Sequence, residues 1–195
     1  MLLLIATALA ATGVARGQGR LEGRGTTRRF ISEKYGFSIA VPPRWLVDPS
    51  KDTPMYFSFS PAEAEDFNGQ LKLPRGGAVI SVVAQDSLPM RGSRALSDWA
   101  VADARGTSVE GPSVRPFETP TESGMTSAII SSYDTATFGP GDQSEHHVNI
   151  FWEFREKRFA AHLLYPAHDP NGTEFEKAFL QTVRRIRPMD KGSKP

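Results

Sequence analysis

The chain has 195 residues, 39% hydrophobic and 23% charged, the balance expected of one globular domain with a sizeable core. Its 23 basic and 22 acidic residues leave a net charge of +1, which gives no reason to expect a nucleic-acid partner. Cysteine is absent, which rules out disulfides, thiolate nucleophiles, cysteine zinc sites and a thiol-linked lipid anchor.

Residues Met1 to Val14 are apolar, uncharged and too few to span a bilayer. They predict the hydrophobic part of a secretory signal covering residues 1–17. Ala15 and Gly17 stand three and one positions before a cut at Gln18, and Ala8 with Ala10 offers a second place. The alternative is an N-terminal helix of the domain. The expectation is an exported protein, periplasmic or extracellular, with no transmembrane anchor after processing and no lipoprotein cysteine. Residues 18–29 are rich in glycine and arginine, with Glu22 their one acid. They read as a spacer; a tether to anionic lipid would bring aromatic or amphipathic patterning, and none is there.

The domain is expected over residues 30–188, with a loose tail at 189–195. It is centred on Tyr35-Gly36-Phe37-Ser38-Ile39-Ala40-Val41-Pro42-Pro43-Arg44-Trp45. Phe37, Ile39 and Val41 alternate with small residues, the period of a strand with one buried face, and Pro42 and Pro43 end it. Arg29 to Ser32 pairs with it as a hairpin turning at Gly36. Met55 to Ser60 is a short strand, Pro61 to Gly77 an excursion with a helical turn at Ala62 to Asp66, and Ala78 to Ala84 a strand covered on both faces. Ser93 caps a helix ended by Gly106. Val114 to Glu118, broken by Pro116, is an edge strand, and Met125 to Tyr133 a further strand. Val148 to Phe154 and Phe159 to Tyr165 form a hairpin through a four-residue loop, Arg155 to Arg158, which sets Phe154 opposite Phe159 and His162 opposite Phe151. The closing helix starts from Thr173 and Glu176 at capping-box spacing and carries Phe175, Phe179, Val183 and Ile186 on one stripe.

The stretch from Tyr35 to Trp45 and the closing residues Glu174-Phe175-Glu176-Lys177-Ala178-Phe179-Leu180 with Val183 to Ile186 resemble the PsbP-like superfamily of photosystem II extrinsic proteins and small exported bacterial proteins. The likeness covers roughly residues 30–188 in order of elements, with matching motifs at the two ends only. It implies an α+β fold, an antiparallel sheet covered by helices on both faces in an α/β/α sandwich. It also implies a non-enzymatic module that binds or supports a protein or cell-envelope partner. The matching positions are hydrophobic, so no catalytic or cofactor-binding residue carries over.

The residues themselves agree with that silence. There is no P-loop, no G-x-S-x-G and no glycine fingerprint after a strand. Asn171-Gly172-Thr173 fits a glycosylation sequon and, better, a turn into a helix. His162 reads as a packed, hydrogen-bonded histidine. The one grouping with metal-ligand residue types is Glu145, His147 and His168, on one face at the open end of the hairpin. It is expected to be a solvated strand end holding no metal, and no cofactor is expected. Two readings of function follow: an exported binding or accessory module, or an exported enzyme using polar residues at the ends of the strands near Asp134 and His146. A pocket with several converging titratable groups would favour the enzyme, and a shallow apolar cleft the module.

Overall fold

Phe37, at the centre of that first stretch, is buried edge-on against the rings of Phe154 and Phe159, 6.4 and 5.6 Å away between centroids. The contact joins two separate sheets. A computed structural model describes residues 19–49, 52–61, 73–74, 76–85, 92–135 and 144–189. The leader, the helical turn expected at Ala62 to Asp66 and most of the tail lie outside the described residues. The strands are Arg20–Glu22 (β1), Arg29–Ser32 (β2), Phe37–Ala40 (β3), Leu46–Asp48 (β4), Met55–Phe57 (β5), Val79–Gln85 (β6), Ser113–Pro116 (β7), Ser127–Asp134 (β8), Glu145–Phe154 (β9), Lys157–Pro166 (β10) and Arg187–Pro188 (β11). The helices are Ser93–Ala104 (α1) and Gly172–Arg184 (α2).

These make an antiparallel seven-stranded sheet, β4-β5-β6-β10-β9-β8-β7, and an antiparallel four-stranded sheet, β1-β2-β3-β11. The expected α/β/α sandwich is therefore corrected: the described chain is mostly β, two sheets with two short helices. The reason lies in the β2–β3 hairpin. It does not extend the large sheet but pairs with β1 and β11, and turns its apolar side, Phe30, Phe37 and Ile39, onto the large sheet. Sheet-on-sheet packing, with α2 beside it, supplies cover that was expected from helices alone. β1 falls within the stretch read as a spacer, and its three residues are exposed. β7 is an edge strand and ends at Pro116, as the missing N–H of proline requires.

The small sheet also brings together the two ends of the described chain. Phe37 pairs with Pro188, Met189 N donates to Gly36 O at 2.9 Å, and Arg29 donates to the carbonyl of Arg185, 156 residues away.

The β9–β10 hairpin turns through two residues, Arg155 and Glu156, with Phe154 opposite Lys157. The expected four-residue loop is corrected. Both residues take positive φ (46° and 65°), a conformation that suits the strand twist in two-residue hairpins but is strained for side chains other than Gly, Asn or Asp. Arg155 helps hold it, donating to Met189 O at 2.7 Å and lying over the Phe154 ring. The register moves by two residues, an even number, so side chains within the two strands keep their expected face and only their opposite neighbours change.

The core lies between the large sheet, the small sheet and α2. Trp152 stacks on Phe159 at 5.4 Å, and Trp45 meets Phe175 edge-on at 6.2 Å. Phe175, Phe179 and Val183 are buried, so the predicted stripe of α2 faces inward, and Ile186, just beyond the end of the helix, is buried with them. Its start differs from the expected capping box. The N-cap is Asn171 with no side-chain cap bond, and Glu176 instead accepts from Tyr165 Oη at 2.7 Å. Gly92, at φ 89°, takes the N-cap position of α1 expected for Ser93. That helix covers the opposite face of the large sheet, setting Leu96 and Ala100 on Ile129, Phe151 and Ala160.

Candidate functional site

On the α1 face, one row across the sheet breaks the apolar pattern. Ser131 on β8 is opposite Asn149 on β9, Asn149 opposite His162 on β10, and His162 opposite Ser81 on β6. The row beside it, Ile129, Phe151 and Ala160, is apolar and lies under α1. Asn149 is 0% exposed and Ser131 1%, so two strands spend interior positions on groups that each cost roughly 1–3 kcal/mol if left without a partner. Polar residues repeated at one level of four neighbouring strands are a departure from local packing rules of the kind that marks functional sites.

Asp103, the next-to-last residue of α1, reaches this row from above. Its Oδ2 accepts from Asn149 Nδ2 and from Tyr133 Oη, both at 3.4 Å. A carboxylate only accepts, so the Asn149 NH₂ faces it and the amide oxygen faces His162. Asn149 Oδ1 and His162 Nδ1 are 3.0 Å apart, which puts the imidazole proton on Nδ1 and a lone pair on Nε2. Burial holds His162 below the usual histidine pKa; Asp103, 4.0 Å from Nδ1, opposes that shift and His147 adds to it. Burial, with the Asp103 carboxylate next, raises Tyr133, so its phenol stays protonated at neutral pH. One row further out, His147 stacks on Tyr133 at 4.8 Å, and its Nε2 is buried without a hydrogen-bond partner.

These groups open onto a cavity of about 240 Å³. Asp103, Tyr133, His147, His162 and Ser81 supply its polar wall, and Met55, Val79 and Leu164 its apolar wall. That is less than the 300–1,000 Å³ usual for pockets holding drug-sized ligands.

The structure divides the predicted cluster of Glu145, His147 and His168. Glu145 Oε2 and His147 Nε2 lie 3.5 Å apart. Pro166, not His168, is opposite Glu145, and the chain has left the sheet before His168, which sits at φ 67° in the turn to α2. His168 lines a different recess, of about 220 Å³, on the α2 side. There His146 Nδ1 meets Asp134 Oδ1 at 2.5 Å, with Glu176 3.8 Å from its Nε2. Among the described residues no three His, Asp or Glu side chains are grouped to hold a metal ion.

No family model and no curated protein matches this sequence. Solved structures do match. One, from Bacteroides thetaiotaomicron, is 12% identical over 87% of this chain and 51% of its own, with a TM-score of 0.47. Another, PA94 from Pseudomonas aeruginosa, a protein of unknown function, is 14% identical over 88% of this chain and 98% of its own, with a TM-score of 0.40. This chain spans about half the length of the Bacteroides protein.

Sequence reasoning placed His162 as a hydrogen-bonded histidine and passed over Asp103, Asn149 and Ser81. A signal for Asn149 was present: one amide inside Val148-Asn149-Ile150-Phe151, at a position where the alternation gives no exposed face. Asp103 left none, because a carboxylate near the end of a mildly amphipathic helix looks like surface.

Proposed function

We propose that this chain is an exported binding module, PsbP-like in kind, that holds a small polar ligand in the cavity beneath the end of α1. The observation that supports it most is the hydrogen-bonded chain from Tyr133 through Asp103 and Asn149 to His162, ending at the cavity wall. Such a chain fixes the tautomer and direction of its members before any ligand arrives, which lowers the entropy cost of binding. The cavity is too small to enclose a macromolecule, so a partner protein or envelope polymer would offer one side chain or one small group. The test is a fragment screen read by the imidazole NMR signals of His147 and His162. Fragments that move both, and lose the effect in Leu164→Trp, which fills the cavity, are expected; a screen in which nothing moves them refutes the reading.

The convergence of Asp103, Tyr133, His147 and His162 favours a second reading, an exported enzyme with His162 Nε2 as general base. Turnover abolished by His162→Gln would establish it. A panel of hydrolase and isomerase substrates with no turnover leaves the binding module standing.

A further inference from the structure

The ligand's charge can be read from the same cavity. We propose that it takes a small organic cation, an ammonium on a short apolar stem, with Asp103 as counter-ion and Met55, Val79 and Leu164 around the stem. The inference rests on the cavity being a binding site.

Three independent features point the same way. Among the described residues Asp103 is the one acidic side chain on the cavity wall, and no lysine or arginine lines it. Asp103 also stands in the last turn of α1, at the negative end of the helix dipole. Nothing offsets that end from within the helix: α1 has no basic residue in its last turn, and Arg105, which follows it, is exposed and does not line the cavity. Beside Asp103 the remaining hydrogen-bonding capacity is that of acceptors, while Ser81 and His147 on the same wall can each donate or accept. Tyr133 and Asn149 already direct their donors to Asp103, and His162 commits Nδ1–H to Asn149, leaving the lone pair on Nε2. A carboxylate and an imidazole lone pair suit N–H donors and repel an anion. An ammonium matches both, because it brings only donors.

The apolar wall sets the rest of the ligand. Met55, Val79 and Leu164 come from three neighbouring strands, β5, β6 and β10, and Met55 gives a flexible surface that adapts to an alkyl chain. The stacked rings of Tyr133 and His147 close one side with aromatic surface. A compact cation beside aromatic rings gains further attraction from their quadrupoles. The limited volume admits a primary amine of a few carbons or the end of a lysine side chain, and excludes a polyamine lying at full length.

The test compares three probes of one shape, n-butylammonium, 1-butanol and butyrate, titrated into the full chain at pH 7.5 with the His147 and His162 signals as readout. Butylammonium is expected to bind about tenfold more tightly than 1-butanol, the order of one charge-assisted hydrogen bond, with butyrate weakest. In Asp103→Asn, which keeps an acceptor for Tyr133, the preference over 1-butanol is expected to fall to within about twofold. Should that variant not fold, the ranking of the three probes on the wild-type chain decides alone. Equal or tighter binding of butyrate or 1-butanol overturns the cation and leaves the binding site standing. Saturable zinc binding with no response to butylammonium overturns it too. Silence of both histidines toward all three probes removes the site and the inference together.

Discussion

Replacing Asn149 by leucine tests whether the polar row is a connected network or a set of tolerated polar residues. Leucine has the branching and the side-chain heavy-atom count of asparagine but is bulkier, so no cavity opens and the cost reports on lost hydrogen bonds together with any overpacking. The substitution leaves His162 Nδ1–H facing a methyl group in place of an oxygen 3.0 Å away, and takes from Asp103 one of the two donors it has at 3.4 Å. A buried donor left without a partner costs roughly 1–3 kcal/mol, and a hydrogen bond to a charged group contributes about 1.5–3 kcal/mol. The bond to Asp103 is long, so the lower end applies there, and about 2–4 kcal/mol is expected in total. The assay is urea denaturation of Asn149→Leu, His162→Phe and the double variant. In a network, removing both partners strands fewer groups than the single losses imply, so the double variant should be more stable than their sum predicts by at least about 0.5 kcal/mol. A single-variant loss under about 0.5 kcal/mol, or strict additivity, would refute the network.

Phe179→Ala, at a fully buried ring on the inner stripe of α2, should cost roughly 3–5 kcal/mol in the same assay, and a loss under about 0.5 kcal/mol would place that helix outside the core. His162 is held below its ordinary value of 6.5, so on acidification the unfolded chain takes up this proton first. Its contribution to stability is complete above pH 6.5 and is lost as pH falls through the lower folded value; a His162→Gln chain whose stability keeps the wild-type slope there would contradict this. Tyr165 is pushed well above 10.0 by burial and then by its bond to Glu176. Its stabilisation is present below pH 10.0 and declines above it, and Tyr165→Phe should remove one late component from the tyrosinate absorbance titration; an unchanged curve counts against it. Export predicts that intact mass of the natively produced protein begins at Gln18 or just after Ala10, and a cytoplasmic product that keeps Leu2 to Ala15 would end that reading.

Most elements were legible because they rest on local pattern. Phe37, Ile39 and Val41 announced a strand, Pro116 an edge, and Phe175, Phe179 and Val183 a buried helix face. What was not legible depended on partners distant in the chain. Nothing in Phe30 to Ala40 says whether its hairpin extends a large sheet or turns flat against it; that is decided by β11, which pairs with β3. The register of the β9–β10 hairpin turned on Arg155 and Glu156 adopting positive φ, which their side chains give no reason to expect. Because the error was an even number of residues, faces were read correctly while the neighbours of Glu145 and His162 were not. The candidate site suffered most from this, since Asn149, His162 and Ser81 form a row only once the β9–β10 and β10–β6 registers are known, and Asp103 joins them only through the placement of α1.

The seam between β3 and β11 has a bearing on how the molecule is made. Strand β3 is made roughly seven to thirty seconds before its neighbour β11, at ordinary elongation rates of about 5–20 residues per second. Until then the rings of Phe30 and Phe37 lack the strand that completes their own sheet, and the large sheet they cover is complete only once β10 has been made. The nascent chain must therefore carry the apolar side of this hairpin uncovered for much of that interval. Such a chain stays open to chaperones, and stays threadable, until β11 is delivered.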